Sequence, residues 1–156
     1  MEIQGGKFLT FTLGHEEYGI PIQRVKEIIG MMEITHIPKT PGYIKGVINL
    51  RGKIIPIMDL RLKFGLEEKP YTERTCIIVV EIMLEGVKKL IGIAVDAVSE
   101  VVNIQTPEIE PPPEYGTHTN AGFLTGMGKV KGKVILLIDI ERIMDNQELA
   151  ILNEIK

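Results

Sequence analysis

The stretch GVINLRGKIIPIMDLR, from Gly46 to Arg61, returns 80 residues later as GMGKVKGKVILLIDIE. Set against Phe123 to Met144, the segment Tyr43 to Phe64 keeps five of its 22 residues: Gly46/Gly126, Gly52/Gly132, Lys53/Lys133, Ile55/Ile135 and Asp59/Asp139. Upstream, Gly19 to Ile29 lies over Gly92 to Val102 at an offset of 73, with Gly19/Gly92, Ile20/Ile93, Val25/Val98 and Glu27/Glu100 identical. Ordinary residue usage gives about two or three identities over both windows together. The order of features also recurs: strand, helical turn, loop, strand, glycine turn, strand, aspartate. A duplicated unit of about 70 residues is marginal alone, so the halves are expected to pack on each other and to exchange strands.

Eight short apolar runs lie between turn signals: KFLTFTL, EYGIPI, YIKGVINL, KIIPIMDL, TCIIVVEI, KLIGIAV, GFLTGMGKV and KVILLIDI. Runs of about five residues with no long helix between them read as an all-β fold rather than βαβ units. With aromatics at 5% and no Trp, Ile, Val and Leu must build the interior, which also favours strands. The architecture expected is two small β-barrels joined across a groove. FTLGHEEYGI reads as a hairpin with a polar tip at Gly14 to Glu17, where His15 is solvated. Ile22 to Met32 switches to helical spacing for about a turn, with Val25, Ile28 and Ile29 on one side. Pro107 to Asn120 is a Pro-rich loop, and Asp145 with Glu148 resembles a capping box opening a C-terminal helix.

The chemistry of catalysis finds little support. GVINLRGKI and GMGKVKGKV each place five residues between their glycines and end in Ile or Val, so neither is a phosphate loop. The single serine, Ser99, lacks a nucleophile-elbow context. His15, His36 and His118 show no metal-ligand spacing with Cys or Glu, and the one cysteine, Cys76, reads as a buried small hydrophobe. No catalytic residue, metal or cofactor is expected. A net charge of -3 without a basic run makes nucleic acid a poor partner, and no segment reads as a signal peptide or a membrane span. The expectation is a soluble, cytoplasmic protein.

Comparison of the two repeats separates common parts from distinctive ones. Gly52 and Gly132 occupy tight hairpin turns, and Asp59 and Asp139 end strands where a carboxylate can cap a helical turn. The second copy lacks Asn49 and Arg51, having Lys129 and Lys131 instead. A planar guanidinium beside a turn suits recognition of a carboxylate or of backbone carbonyls better than an ammonium does. The spacing alone leaves a merely solvated arginine equally open. Val25, Ile28 and Ile29 continue into Met31, Met32, Ile34 and Ile37, more apolar surface than one small barrel absorbs; a protein-binding strip and a core strip both fit.

Taken together, FLTFTLGHEEYGIPIQRVKEII, TPGYIKGVINLRGKIIPIMDLRLKFG, IGIAVDAVSEVV, IEPPPE and the LTGMGKV and VILLIDIERIM segments resemble the CheW family of chemotaxis coupling proteins. The likeness runs from about Lys7 to the C-terminal helix. It implies a single domain over 1–156 made of two intertwined, five-stranded SH3-like β-barrel subdomains. These are expected over roughly 14–75 and 76–145, with strand 7–13 exchanged into the second barrel and 145–156 forming the C-terminal helix. It implies no enzyme activity and no cofactor. The implied partners are the regulatory domain of the histidine kinase CheA and the cytoplasmic tip of methyl-accepting chemotaxis receptors, which would bring a cytoplasmic adaptor to membrane receptor arrays. By motif, Val25, Glu27, Asn49, Arg51 and Ile54 would face the receptor. Met31, Ile34 and Ile37 would meet one kinase barrel, and Glu110, Glu114 and Tyr115 the second kinase contact. GMME is Met-rich where relatives often carry a charge, and NAGFLTG is less typical than the first-half motif. A coupling-type scaffold of a motility or second-messenger pathway remains open, as does a small β-barrel binding a ligand or RNA, which the lack of an aromatic cluster disfavours.

Overall fold

The computed structural model describes residues 4–112 and 122–143. Its eleven strands are β1 (Gly6–Leu13), β2 (Glu16–Pro21), β3 (Val25–Gly30), β4 (Ile44–Leu50), β5 (Lys53–Asp59), β6 (Cys76–Leu84), β7 (Val87–Val95), β8 (Ala97–Ile104), β9 (Ile109–Glu110), β10 (Leu124–Val130) and β11 (Lys133–Ile138). One four-residue helix, α1 (Leu60–Lys63), follows β5. The strands form a six-stranded sheet in the order β8-β1-β2-β11-β10-β9 and a five-stranded sheet in the order β3-β6-β7-β5-β4. The mostly-β expectation from the alternating apolar runs therefore stands. The C-terminal helix, with Asp145 and Glu148, and His118 lie outside the described residues.

Both repeat offsets recur as pairing rules. Leu137 pairs with Gly19 across the parallel β11–β2 contact, and its counterpart Ile57 pairs with Gly92 across the parallel β5–β7 contact. The register of each β4–β5-type hairpin shifts at the same place, between Ile44 and Gly46 and between Leu124 and Gly126. The two-residue turns Arg51–Gly52 and Lys131–Gly132 hold both residues at positive φ, 51° and 89° in one and 50° and 78° in the other. That is the primed turn that matches the right-handed twist of paired strands. Asp59 accepts a hydrogen bond from Leu62 N at 3.3 Å, and Asp139 accepts one from Glu141 N at 3.0 Å, so both aspartates cap the turns they precede. Gly46, at φ +140°, is needed for a second reason. A Cβ there would stand 2.0 Å from the Thr35 carbonyl oxygen, where the chain after β3 crosses β4.

The sheets do not follow the division at residue 75. β2 lies with β1 in the six-stranded sheet, and β6 and β7 lie with β3, β4 and β5 in the five-stranded one. The reason is the length of two connections. β3 runs antiparallel to β6, and β6 antiparallel to β7. By the repeat, β3 placed beside β1 would point the same way as β2. Only Ile22–Arg24 separate β2 from β3. Three residues reach about 10 Å, whereas a return along β2 alone needs about 20 Å. β3 must leave for the other sheet, and β8, which follows β7 after Asp96 alone, must do the same in reverse.

The core reflects this interleaving. The largest apolar cluster joins Leu9, Phe11, Leu13 and Ile20 of one sheet to Ile78, Val80, Ile91 and Ile93 of the other, with Leu60, Ile140 and Ile143 closing it. Smaller clusters fill each sheet's concave side: Ile48, Ile55, Ile57, Ile77 and Val79 in one, and Phe8, Ile104, Ile135 and Leu137 in the other. Each such side chain contributes about 1.5–3 kcal/mol on burial. Half of the chain's aromatic residues stack in line across the seam, Phe11 to Tyr18 to Phe64 to Phe123.

Several local expectations need correction. The helical turn of Ile22–Arg24 exists, but Val25–Gly30 is a strand with a register shift between Val25 and Glu27. That shift gives the apolar residues helix-like spacing, and it leaves Ile28 43% exposed while Val25 and Ile29 pack inward. The β1–β2 tip is only Gly14 and His15, since Glu16 already pairs with Leu13. Within the Pro-rich stretch, Ile109 and Glu110 pair with β10 as an edge strand. Cys76 is half-buried rather than buried.

Two ion pairs fasten the seam with opposite polarity. Arg61, almost fully buried after β5, reaches Asp96 between β7 and β8 at 2.7 Å. Its equivalent in the repeat, Glu141, reaches Arg24 between β2 and β3, also at 2.7 Å. Asp96 further accepts from Gly14 N at 2.8 Å, and Arg61 Nε donates to the Glu67 carbonyl at 3.0 Å. Replacing Arg61 with Ala leaves that carbonyl and Asp96 without their buried partner, with an expected cost of about 2–4 kcal/mol. Arg24→Ala, at a half-exposed pair, is expected to cost under about 1 kcal/mol. Urea unfolding midpoints of the two variants give the comparison, and equal shifts would contradict it.

Candidate functional site

At the tip of the β4–β5 hairpin the chain leaves strained backbone and charged side chains exposed together. Arg51 sits at φ 51°, a conformation that costs a non-glycine residue about 1 kcal/mol. Its guanidinium takes both carboxylate oxygens of Glu27 on β3, Nη2 to Oε1 at 2.5 Å and Nη1 to Oε2 at 3.0 Å. Because β3 and β4 are the opposite edges of the five-stranded sheet, this contact shows that the sheet curls until its edges meet. Thr35 adds a second closure, exchanging backbone hydrogen bonds with Val47 at 2.8 and 2.9 Å.

Asn49 has a structural task in the same turn. Its Oδ1 accepts from Gly52 N at 2.9 Å, an amide that the two-residue turn would otherwise leave to water. Ile54 pairs across the hairpin from Asn49 and is 46% exposed. Thus Glu27, Asn49, Arg51 and Ile54 form one surface around the tip. Val25 lies on the same strand as Glu27, but its side chain packs against the inter-sheet cluster.

The other expected contact residues fall in two separate places. Met31 and Ile34 are half-buried against the concave cluster of the five-stranded sheet, together with Met32, so the strip is partly core. Ile37 is half-buried, and its carbonyl accepts from the Thr40 hydroxyl at 2.9 Å. Glu110 lies on the edge strand of the other sheet and pairs with Lys129 at 3.0 Å. Glu114 and Tyr115 lie outside the described residues.

Sequence reasoning named Arg51 and Glu27 without pairing them, and it missed a regularity in the exposed apolar residues. Ile28 and Ile54 have counterparts in Val101 and Val134 at offsets 73 and 80, and these are 50% and 53% exposed. The electrostatics differ between the copies. Glu100 and Lys131 stand where Glu27 and Arg51 do, yet among the described residues neither forms an ion pair. No group of three or more His, Cys, Asp or Glu residues among the described ones is placed to hold a metal ion.

A CheW-like domain family model matches residues 7–148. The chain belongs to the CheW family. It is 42% identical over 154 residues to a chemotaxis protein CheW of Klebsiella aerogenes, covering 99% of this chain and 90% of that protein. A chemotaxis protein CheW of Helicobacter pylori is 34% identical over 138 residues, covering 88% of this chain and 81% of that protein. The crystal structure of the scaffolding protein TtCheW from Thermoanaerobacter tengcongensis superposes with a TM-score of 0.82 at 39% identity, over 93% of this chain and 97% of that one. As a member of this family the chain is a chemotaxis coupling adaptor, and two curled sheets are compatible with the SH3-like barrels expected of it. No helix among the described residues is long and apolar enough to cross a membrane.

The ion pair also sets a pH signature. The Arg51 guanidinium, by hydrogen bonding and charge, holds the Glu27 carboxyl below the usual carboxylate range. A depressed folded-state pKa means that the pair's contribution is complete above the ordinary carboxylate pKa and fades as pH falls through the lowered value. NMR titration of the Glu27 side chain is expected to give a midpoint below that of an exposed glutamate. In Arg51→Ala the midpoint returns to the ordinary value; an unchanged midpoint would show that the two side chains do not pair in solution.

Proposed function

We propose that the chain couples the cytoplasmic tip of methyl-accepting chemotaxis receptors to the regulatory domain of the histidine kinase CheA. It does so without chemistry of its own, in the cytoplasm and at membrane receptor arrays that it reaches through its partners. The observation that carries the reading is the Arg51–Glu27 pair at the closing edges of the five-stranded sheet, flanked by exposed Ile28 and Ile54. The fold has no need to leave two isoleucines in water beside a fixed charge pair; a protein partner does.

In this reading the receptor packs on Val25, Glu27, Asn49, Arg51 and Ile54. Apolar burial at about 25 cal/mol per Å² supplies affinity, while the charge pair fixes register. The kinase meets Met31, Ile34 and Ile37 on one side, and a second kinase contact uses Glu110, Glu114 and Tyr115. The Thr35–Val47 bridge supports a link between the two surfaces, since Thr35 lies within the kinase-facing segment and Val47 on the strand that carries Asn49. A shift in one docking surface is then felt at the other, which is the physical content of coupling.

Arg51→Glu puts a second carboxylate against Glu27, and Ile37→Asp puts a charge in the strip. Calorimetry with a purified receptor tip and a purified kinase regulatory domain is expected to separate them. Arg51→Glu loses about tenfold or more in receptor affinity and retains kinase binding, and Ile37→Asp shows the reverse. Receptor-dependent kinase activation falls in both. Receptor binding and activation both left intact by Arg51→Glu would place the receptor elsewhere.

A further inference from the structure

Beside Ile54 the five-stranded sheet opens. The parallel β5–β7 pairing covers only Ile57–Asp59 with Gly92–Ala94. Upstream of it, Lys53–Pro56 and Lys88–Ile91 diverge around a cavity of about 260 Å³. Its walls are apolar, from Ile54, Pro56, Ile82, Leu84 and Leu90, whereas Lys53, Lys88 and Lys89 ring its mouth. Just beyond, at the end of the β6–β7 hairpin, Met83 and Val87 are 47% and 56% exposed.

The charges around this opening are unbalanced. Glu81 is shared between Lys26 at 3.6 Å and Lys88 at 3.9 Å, and Glu85 stands at the hairpin turn. Among the described residues Lys53 and Lys89 form no ion pair. In a chain of net charge -3, three ammonium groups around an apolar hole select for carboxylates next to an apolar side chain. The exposed Met83 and Val87 extend the apolar surface beyond what a small anion would cover, which favours a polypeptide.

We propose that this cavity takes an apolar side chain of the receptor tip, from a segment whose flanking carboxylates pair with Lys53, Lys88 and Lys89. The inference rests on the receptor reading of the neighbouring surface, with which it shares Ile54. It adds the chemistry of the partner: an acidic segment with an apolar residue at its centre. It also adds a length requirement, since the segment must extend from the β4–β5 tip along the opening towards the β6–β7 hairpin.

The test uses the full chain, a purified receptor tip and a purified kinase regulatory domain. The triple variant Lys53→Glu, Lys88→Glu, Lys89→Glu changes exposed side chains, and circular dichroism verifies its fold. It is expected to lose about tenfold or more in receptor-tip affinity at low salt, and the deficit should narrow at high salt as the Debye length falls from about 10 Å at 0.1 M to about 3 Å at 1 M. The corresponding triple Lys→Arg variant retains binding, and kinase affinity is unchanged in both. Wild-type receptor affinity in the triple Glu variant, with Arg51→Glu defective, overturns this inference and leaves the receptor surface standing. Wild-type affinity in both overturns the two together. Loss of kinase rather than receptor binding assigns the cavity to the wrong partner and overturns the inference.

Discussion

Two connections too short to turn back determine this molecule. Three residues lead from β2 to β3 and a single one from β7 to β8, so each strand that leaves its hairpin must cross to the other sheet. Each sheet is thereby assembled from both repeats. A hairpin from one copy lies alongside a hairpin and a single strand from the other, and neither half can complete a sheet alone. The marginal stability expected of a unit of about 70 residues is resolved by making the two units incomplete rather than by enlarging either.

This interleaving accounts for the placement of apolar and charged residues at the seam. β6 buries both faces, with Ile77 and Val79 in one cluster and Ile78, Val80 and Ile82 in another, because it has a curled sheet on one side and the partner sheet on the other. The two ion pairs sit where the crossing connections meet the elements after β5 and β11. Arg61 and Glu141 occupy equivalent positions with opposite charge, and so do their partners Asp96 and Arg24. The duplication kept the geometry of the fastening and reversed its sign in one copy. The outcome is a scaffold whose halves cannot slide independently, as suits a protein that holds two partners in register.

What the sequence made legible was local. Turn glycines, capping aspartates and alternating apolar runs are set by the residues beside them, and the structure has them where the repeat placed them. Sheet membership was not legible beyond strand 7–13, because periodicity tells which face of a strand is buried and not which strand lies beside it. The division at residue 75 failed for that reason. The β3 segment misled in another way: a register shift at Lys26 spaces Val25, Ile28 and Ile29 like one face of a helix, although they face different surroundings. The methionine strip was readable only as apolar excess, and burial of Met31 and Ile34 against a concave sheet depended on curvature that the pattern does not carry.

The candidate site was legible through the difference between copies, and the structure gives that difference a physical meaning. Both copies keep a glutamate on the crossing strand and a cation at positive φ beside the turn glycine. Only the first has a guanidinium, whose fork can hold both carboxylate oxygens at once. Lys131 offers a point charge on a flexible stem, and Glu100 is left unpaired among the described residues. The turn amide follows the same rule: Asn49 supplies an acceptor to Gly52, and Lys129, in its place, turns to Glu110 instead. The first hairpin is therefore fixed at its tip by three side-chain hydrogen bonds that the second lacks. Exposed apolar residues flank both tips, so apolar surface alone does not distinguish them. Rigidity does, since a surface whose charges are already oriented loses less freedom when a partner settles on it.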